Sequence, residues 1–291
     1  MKRSLDMIYT ITLNPAYDKT YKVSSFEEGK TNRVQSVNTT VGGKGLNISR
    51  ILSSLNTPNL ALGIADSIFV DFIASEGIKN DFTIITNPVR INIKILNTSK
   101  NIITELNEAG ADVTEANIDE FKNNLVKYIS GGDIAIFSGS LPPGVPYSFY
   151  RELIELCNKK SVISILDTSG AALKEGIKAK PFMIKPNIDE LSYLTGKYLS
   201  SVSEIQTEAL KIASCGIDKV MVSMGKDGAV LASGKDVYYK KAPEVPVHST
   251  VGAGDAMLAA FVAGMTKSPD DKELLTKAID MGSKSVMGKI G

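Results

Sequence analysis

The sequence predicts an α/β protein: a parallel sheet covered on both faces by helices, with a small β-rich lid. Three observations carry this. Beyond about residue 130, short and nearly continuous apolar runs alternate with helix-like stretches, as strands buried on both faces do. Between Arg90 and Leu96, Ile91, Ile93 and Ile95 instead alternate with Asn92 and Lys94, so that this strand keeps one wet face. The 291 residues, 43% of them hydrophobic, contain no internal repeat and no low-complexity linker, so one main domain with a lid accounts for the chain.

In chain order, Tyr9 to Leu13 is a β-rich run ended by the turn pair Asn14-Pro15. Leu46, Ile48, Ile51, Leu52 and Leu55 fall on one helical face directly after Gly42-Gly43-Lys44-Gly45. The wet-faced strand at 90–96 follows. Further strands are expected at Asp133–Phe137, Val162–Leu166, Phe182–Ile184 and Lys219–Val222, and helices at Phe149–Cys157, Ile188–Leu194 and Ile205–Cys215. A last apolar helix is expected over Met257–Val262. In such sheets ligands collect beyond the carboxyl ends of the strands. Here those ends are polar or Gly-rich: Ser138-Gly139-Ser140, Asp167-Thr168-Ser169-Gly170, Lys185-Pro186-Asn187 and Ser223-Met224-Gly225.

Composition narrows the class. A formal net charge of +1, with lysines and acids interspersed, gives no field that would draw the chain to nucleic acid or to a membrane. Cys157 and Cys215 are expected as two buried free thiols in a reducing compartment. Met1 to Asp6 is polar, no signal-peptide core or membrane-length apolar run follows, and Met7 is a second possible start. The expectation is a cytoplasmic globular protein.

Ser249 to Ala256 is the most informative tract. Gly252, Ala253 and Gly254 leave backbone N–H groups bare where a helix begins, and the helix dipole adds partial positive charge, a ready site for a phosphate. Asp255 sits in the first turn beside that pocket. A carboxylate there either caps the helix or takes a hydroxyl proton during phosphoryl transfer. The common nucleotide fingerprints do not fit. A Walker A loop ending at Gly43-Lys44 would need glycine at 38 and Ser or Thr at 45, where the chain has Asn38 and Gly45; a G-x-G-x-x-G run from Gly252 fails at Met257.

Gly42-Gly43-Lys44-Gly45-Leu46-Asn47 and Thr250-Val251-Gly252-Ala253-Gly254-Asp255 resemble the two signatures of the PfkB (ribokinase-like) carbohydrate kinases. Four more tracts resemble that family in the expected order: Thr12 to Asp18, Ser138 to Gly144, Lys185 to Glu190 and Ser223 to Gly228. The resemblance implies a three-layer α/β/α ribokinase-like sandwich with a small β-sheet lid, whose strands come from about 14–40 and 88–108. It also implies ATP with Mg²⁺, room for a monovalent cation, and transfer of the γ-phosphate to a sugar hydroxyl. Asp255 would be the base, with the N–H groups of Gly252, Ala253 and Gly254 stabilising transferred charge.

On the sugar side the resemblance implies contacts from Asp18 (to two hydroxyls), Lys30, Gly42, Gly43, Lys44, Asn47, Arg90, Asn92 and Ser140. Lys30, Arg33, Lys44, Arg90 and Lys94 cluster in the lid regions, and a substrate that already bears a phosphate needs cations besides those serving ATP. Tracts 14–18, 90–94 and 104–110 resemble those of phosphosugar kinases, with fructose 1-phosphate favoured over tagatose 6-phosphate and fructose 6-phosphate. On the nucleotide side it implies Lys185, Asn187, Ser223, Gly225, Gly228 and Ser283, with Mg²⁺ held by Glu190 through water. For Asn187 and Glu190 helix capping is the competing reading. His248, the only histidine, reads as a loop residue needing no partner.

Two features depart from the family pattern. Gly63-Ile64-Ala65-Asp66-Ser67 replaces a Gly-Gly turn, with a shortened helix over Phe69–Gly77, and the chain ends at Gly291, one helix early. They leave a non-catalytic sugar-phosphate-binding protein as an alternative. A small lid has little core of its own to bury the isoleucine row at 91–95, and the resemblance implies that two lids pack together in a homodimer, against packing on the chain's own α/β domain.

Overall fold

Ile8–Thr12 (β1) lies wholly buried at the heart of the larger of two sheets. The structure, a computed structural model, describes residues 7–265, 267 and 270–289. Parallel to β1 run Asn59–Asp66 (β4) and Ile134–Ser138 (β8) as its neighbours, and Asn80–Ile85 (β5) beyond β4. On the other side follow Ile163–Asp167 (β9), Met183–Ile184 (β10) and Lys219–Ser223 (β11), also parallel. Ala229–Ser233 (β12) and Asp236–Lys240 (β13) extend the sheet as an antiparallel hairpin. The nearly continuous apolar runs are β8, β9, β10 and β11, each within two residues of its expected bounds, because both of their faces are covered; β4 and β5 are parallel strands that no expected run marked.

One face is covered by Lys44–Ser54 (α1), Ala253–Met265 (α8) and Asp271–Val286 (α9), with Ile48, Leu52, Leu258, Phe261 and Ile279 packed on Ile134, Ile165 and Met221. The other carries Glu115–Tyr128 (α3), Phe149–Lys159 (α4), Gly170–Gly176 (α5), Ile188–Thr195 (α6) and Val202–Ser214 (α7), around Phe137, Phe149 and Tyr150. Each of the three expected helices in this layer is present, with α7 beginning three residues early at a capping box of Ser201 and Glu204. Among the described residues no helix is long and apolar enough to cross a membrane. One expectation fails: Cys157 is buried on α4, but Cys215 is exposed where α7 ends, although both are free thiols. The helix stops there, leaving that side chain outside the packed face.

The smaller sheet has the order β3-β2-β6-β7, from Ser36–Gly42 (β3), Ala16–Val23 (β2), Arg90–Asn97 (β6) and Ile102–Asn107 (β7). Strand β2 pairs in parallel with β6, placing Asp18 beside Asn92 and Tyr17 beside Ile91. Alternation then sorts the sheet into a polar face with Asp18, Thr40, Asn92 and Lys94, and an apolar face with Tyr21, Val37, Ile93, Ile95 and Leu106. The base of the apolar face packs on the main domain: Tyr17 meets Phe69 and Phe72 of Ser67–Ser75 (α2) edge-on. Val37 and Leu106 stay 51% and 55% exposed. Ile91, Ile93 and Ile95 on the same face are half-buried.

Candidate active site

Parallel strands end at one edge of the sheet, and the polar tracts that follow them face the N-termini of α1, α6 and α8. Between them opens a cavity of about 400 Å³. Gly43, Lys44 and Asn47 line it from α1, Arg90 from the smaller sheet, and Lys185, Asn187, Glu190 and Ser223 from the strand ends. Val251, Gly252, Gly254 and Asp255 complete it at the start of α8. Twelve residues that are scattered from 43 to 255 thus share one space.

Asp255 is buried in the first turn of α8 and accepts a hydrogen bond from Asn47 Nδ2 at 2.8 Å. Burial pushes its carboxyl up, to about 6, and the charge of Asp167 adds to this; the Asn47 bond, Lys44 and Lys185 pull the other way. Such a carboxyl can gain and lose a proton near neutrality, which a solvated helix cap cannot. Gly252, at φ 81°, turns the chain into α8 through a left-handed conformation that a side chain would strain. Of the expected anion-binding donors, Ala253 N–H already makes a long turn bond of 3.4 Å to the Thr250 carbonyl.

Asp167, at the end of β9, organises the cations. It is wholly buried, and its Oδ1 accepts from Lys44 Nζ at 3.1 Å and from Lys185 Nζ at 3.3 Å. Burial alone would raise its carboxyl; Lys185 and Lys44 together hold it below the ordinary range. Lys44 in turn is pushed up: burial opposes, but Asp167 and then Asp255 outweigh it. Lys185 Nζ would stand 3.1 Å from a Cβ at Gly254, so its ammonium lies against the first turn of α8. Two cations are thereby fixed beside a helix N-terminus. In sequence Asp167 was visible only as one residue of a polar strand end.

On the smaller sheet Asn92 Nδ2 donates to Asp18 Oδ1 at 3.0 Å, and Lys94 Nζ lies 3.9 Å from Asp18 Oδ2. The Asp18 carboxylate packs on Gly42, at the end of β3, where a Cβ would displace it. Arg90 donates through Nη1 to the Glu108 carbonyl at 3.1 Å and through Nη2 to the Asn14 carbonyl at 3.2 Å. Its Nε is buried and has no hydrogen-bond partner. Burial pulls the guanidinium's proton affinity down, opposed by Asp18 and Glu108. Asn14, which sequence reasoning assigned no role beyond its place in the 14–18 tract, donates to the Ala109 carbonyl and to Ser140 Oγ, at 2.9 and 3.1 Å. Lys30 and Arg33 are not brought to the site; they are exposed in the β2–β3 connection, outside the cavity lining.

At α6 the capping reading is realised and the cavity position is kept as well. Asn187 Oδ1 accepts from Glu190 N–H at 2.8 Å, while Glu190 Oε2 accepts from Asn187 N–H at 2.9 Å. Ser223 pairs with Asn187 in an isolated bridge. The turn from Gly225 to Gly228 follows β11; a side chain at Gly228 would run into the Lys240 carbonyl. Ser283 is buried on α9, donates to the Ile279 carbonyl at 2.9 Å, and does not line the cavity. His248 is exposed and tied by its backbone N–H to the Val286 carbonyl.

Residues 10–289 match the model of the pfkB family carbohydrate kinases. The chain is 32% identical over 289 residues to 1-phosphofructokinase of Bacillus subtilis (strain 168), covering 97% of this chain and 93% of the relative. It is 34% identical over 288 residues to tagatose-6-phosphate kinase of Staphylococcus epidermidis (strain RP62A), covering 97% and 92%. Among solved structures, phosphofructokinase-2 from Escherichia coli in complex with fructose-6-phosphate superimposes with a TM-score of 0.91 at 26% identity, over 97% of this chain and 94% of that one. The chain belongs to the pfkB family of carbohydrate kinases. Its ribokinase-like sandwich with a separate small sheet is the fold of these kinases.

Proposed function

We propose that this kinase transfers the γ-phosphate of ATP to fructose 1-phosphate, giving fructose 1,6-bisphosphate. One observation carries the reading: Arg90 and Asp255 line the same cavity, one a half-buried guanidinium whose buried Nε has no hydrogen-bond partner, the other a carboxyl poised near neutrality. Arg90 binds the phosphate the sugar already carries, and Asp18 with Asn92 takes its hydroxyls. Asp255 accepts the proton of the attacking hydroxyl, while Lys44, Lys185 and the N–H groups of Gly252, Ala253 and Gly254 balance charge on the transferred group. Losing such positioned donors lowers turnover on the order of a hundred- to thousand-fold.

Among the described residues no cluster of three or more His, Cys, Asp or Glu could hold a metal. One cavity carboxylate fits Mg²⁺ bound largely by water and nucleotide phosphates. Glu190 would hold it through water, and the ion would supply charge neutralisation between phosphates. Asn187, Ser223, Gly225 and Gly228 would receive the nucleotide. A potassium complex of the E. coli enzyme supports a monovalent cation as a further component. The exposed apolar face of the smaller sheet supports a homodimer.

The tagatose-6-phosphate kinase relative favours a second substrate reading. ADP release with fructose 1-phosphate, tagatose 6-phosphate and fructose 6-phosphate ranks them by kcat/KM. Preference for either 6-phosphate replaces the first reading. Binding without turnover makes the chain a sugar-phosphate-binding protein.

A further inference from the structure

Asn47 and Asp255 are 208 positions apart and meet where α1 packs on α8. An amide side chain can turn either its oxygen or its nitrogen to a neighbour, and only the nitrogen can donate to a carboxylate. Arg50, one turn further along α1, decides which. Its Nη1 donates to Asn47 Oδ1 at 3.1 Å. A guanidinium has donors only, so it pairs with the amide oxygen and leaves Nδ2 to face Asp255 Oδ2 at 2.8 Å.

Arg50 is itself held from two further directions. Nη2 donates to the Val41 carbonyl, on β3 of the smaller sheet, at 2.9 Å. Nη2 and Nε both reach Glu76 Oε2, at the end of α2, at 2.7 and 3.2 Å. One planar fork thus joins the lid strand, the helix under the lid and the amide on the carboxylate. Arg50 does not line the cavity; of its three partners Asn47, Val41 and Glu76, it is Asn47 that does.

We propose that Arg50 is a positioning residue for Asp255: its guanidinium locks the Asn47 amide in the orientation that donates to the carboxylate, and indexes that amide to lid strand β3. The proposal rests on the reading of Asp255 as the base. Asp255 is faced by Asp167 from β9, by Lys185 just past β10, and by Lys44 and Asn47 from α1. The Asn47 bond favours the charged carboxylate, so losing it moves protonation to higher pH.

The test compares Arg50→Met and Arg50→Lys with wild type and Asp255→Asn, each folded by its melting curve. It uses whichever of the three phosphosugars the wild type turns over best. Arg50→Met is expected to lower kcat roughly five- to ten-fold and to move the acid limb of the kcat profile up by roughly half to one pH unit, the size of one hydrogen bond. The KM for ATP stays within about two-fold. Arg50→Lys keeps the charge beside Glu76 but lacks the fork, and shows the same upward shift. An unshifted acid limb in Arg50→Met, with Asp255→Asn inactive, overturns the proposal and leaves Arg50 a structural residue. Restoration of the limb by Arg50→Lys overturns it in favour of charge alone. Turnover retained by Asp255→Asn is a different failure, that of the base itself.

Discussion

Burial sets the terms on which Asp255 can act as a base. With its carboxyl pushed up to about 6, turnover is expected to fall as pH drops through that value, and a kcat profile measures it. The same shift has the opposite sign for stability. A carboxyl raised above its unfolded value binds its proton more tightly when folded, so stability is lost as pH rises from about 4 through 6. Asp255→Asn removes the buried charge. It is expected to lower kcat at least about a hundred-fold, leave sugar-phosphate affinity nearly unchanged, and raise the melting temperature at pH 7.5 but not at pH 4. Near-normal turnover would make Asp255 a cap and nothing more. Arg90→Ala removes the only side chain of the smaller sheet that lines the cavity. A rise in the KM for the sugar phosphate worth roughly 2–4 kcal/mol, with the KM for ATP nearly fixed, is the expected outcome. Equal loss for both substrates would place Arg90 at the nucleotide.

Among the elements, α2 carries a device that the departure from the family pattern at 63–67 announced but did not explain. Asp66 Oδ1 caps the helix at Phe69 N–H, at 2.9 Å, while Oδ2 accepts from Val89 N–H at 2.8 Å, one residue before Arg90. A short helix therefore anchors the strand that delivers the Arg90 guanidinium to the cavity. Asp66→Asn can keep the cap, since Asn caps as well as Asp, but its amide nitrogen cannot accept from Val89. A several-fold rise in the KM for the sugar phosphate with helix α2 intact is expected. Asp66→Ala adds the loss of the cap, about 1 kcal/mol, readable as a further drop in melting temperature. Equal behaviour of the two variants would mean that the Val89 bond does nothing for binding. Strands β1, β8, β9 and β11 were legible in sequence because burial on both faces writes an unbroken apolar run. Strands β2, β3 and β7 were not delimited, because half-exposed and largely polar segments carry no such period.

For the whole molecule, the apolar face of the smaller sheet is the largest unresolved demand. Tyr21, Val37, Ile93, Ile95 and Leu106 share that face, and among the described residues Val37 and Leu106 on its outer part stay exposed. Pairing of two such sheets would bury it in a homodimer, closing each site against water. Sedimentation at micromolar concentration is expected to give a dimer, and Leu106→Glu to shift it toward monomer by placing a charge in the apolar face. A fully active monomer would remove lid pairing from the reaction.

The sequence by itself determined the α/β class and the polar edge of the sheet, and its short motifs, through their resemblance to a known family, singled out Asp255, Lys44, Lys185 and Arg90, which line the cavity. These are local matters: side-chain period, turn chemistry and the glycines before a helix operate over a few residues. Tertiary structure alone decided which groups touch. Lys44 meets Asp167 across 123 positions and Asn47 meets Asp255 across 208, contacts that exist only because β1 inserts between β4 and β8 and α1 packs beside α8. The same packing left Lys30 in solvent, exposed Cys215, and turned Ser283 back onto its own helix. Strand order and helix packing are settled by the joint burial of apolar faces from the whole chain, and no short window of sequence contains that sum.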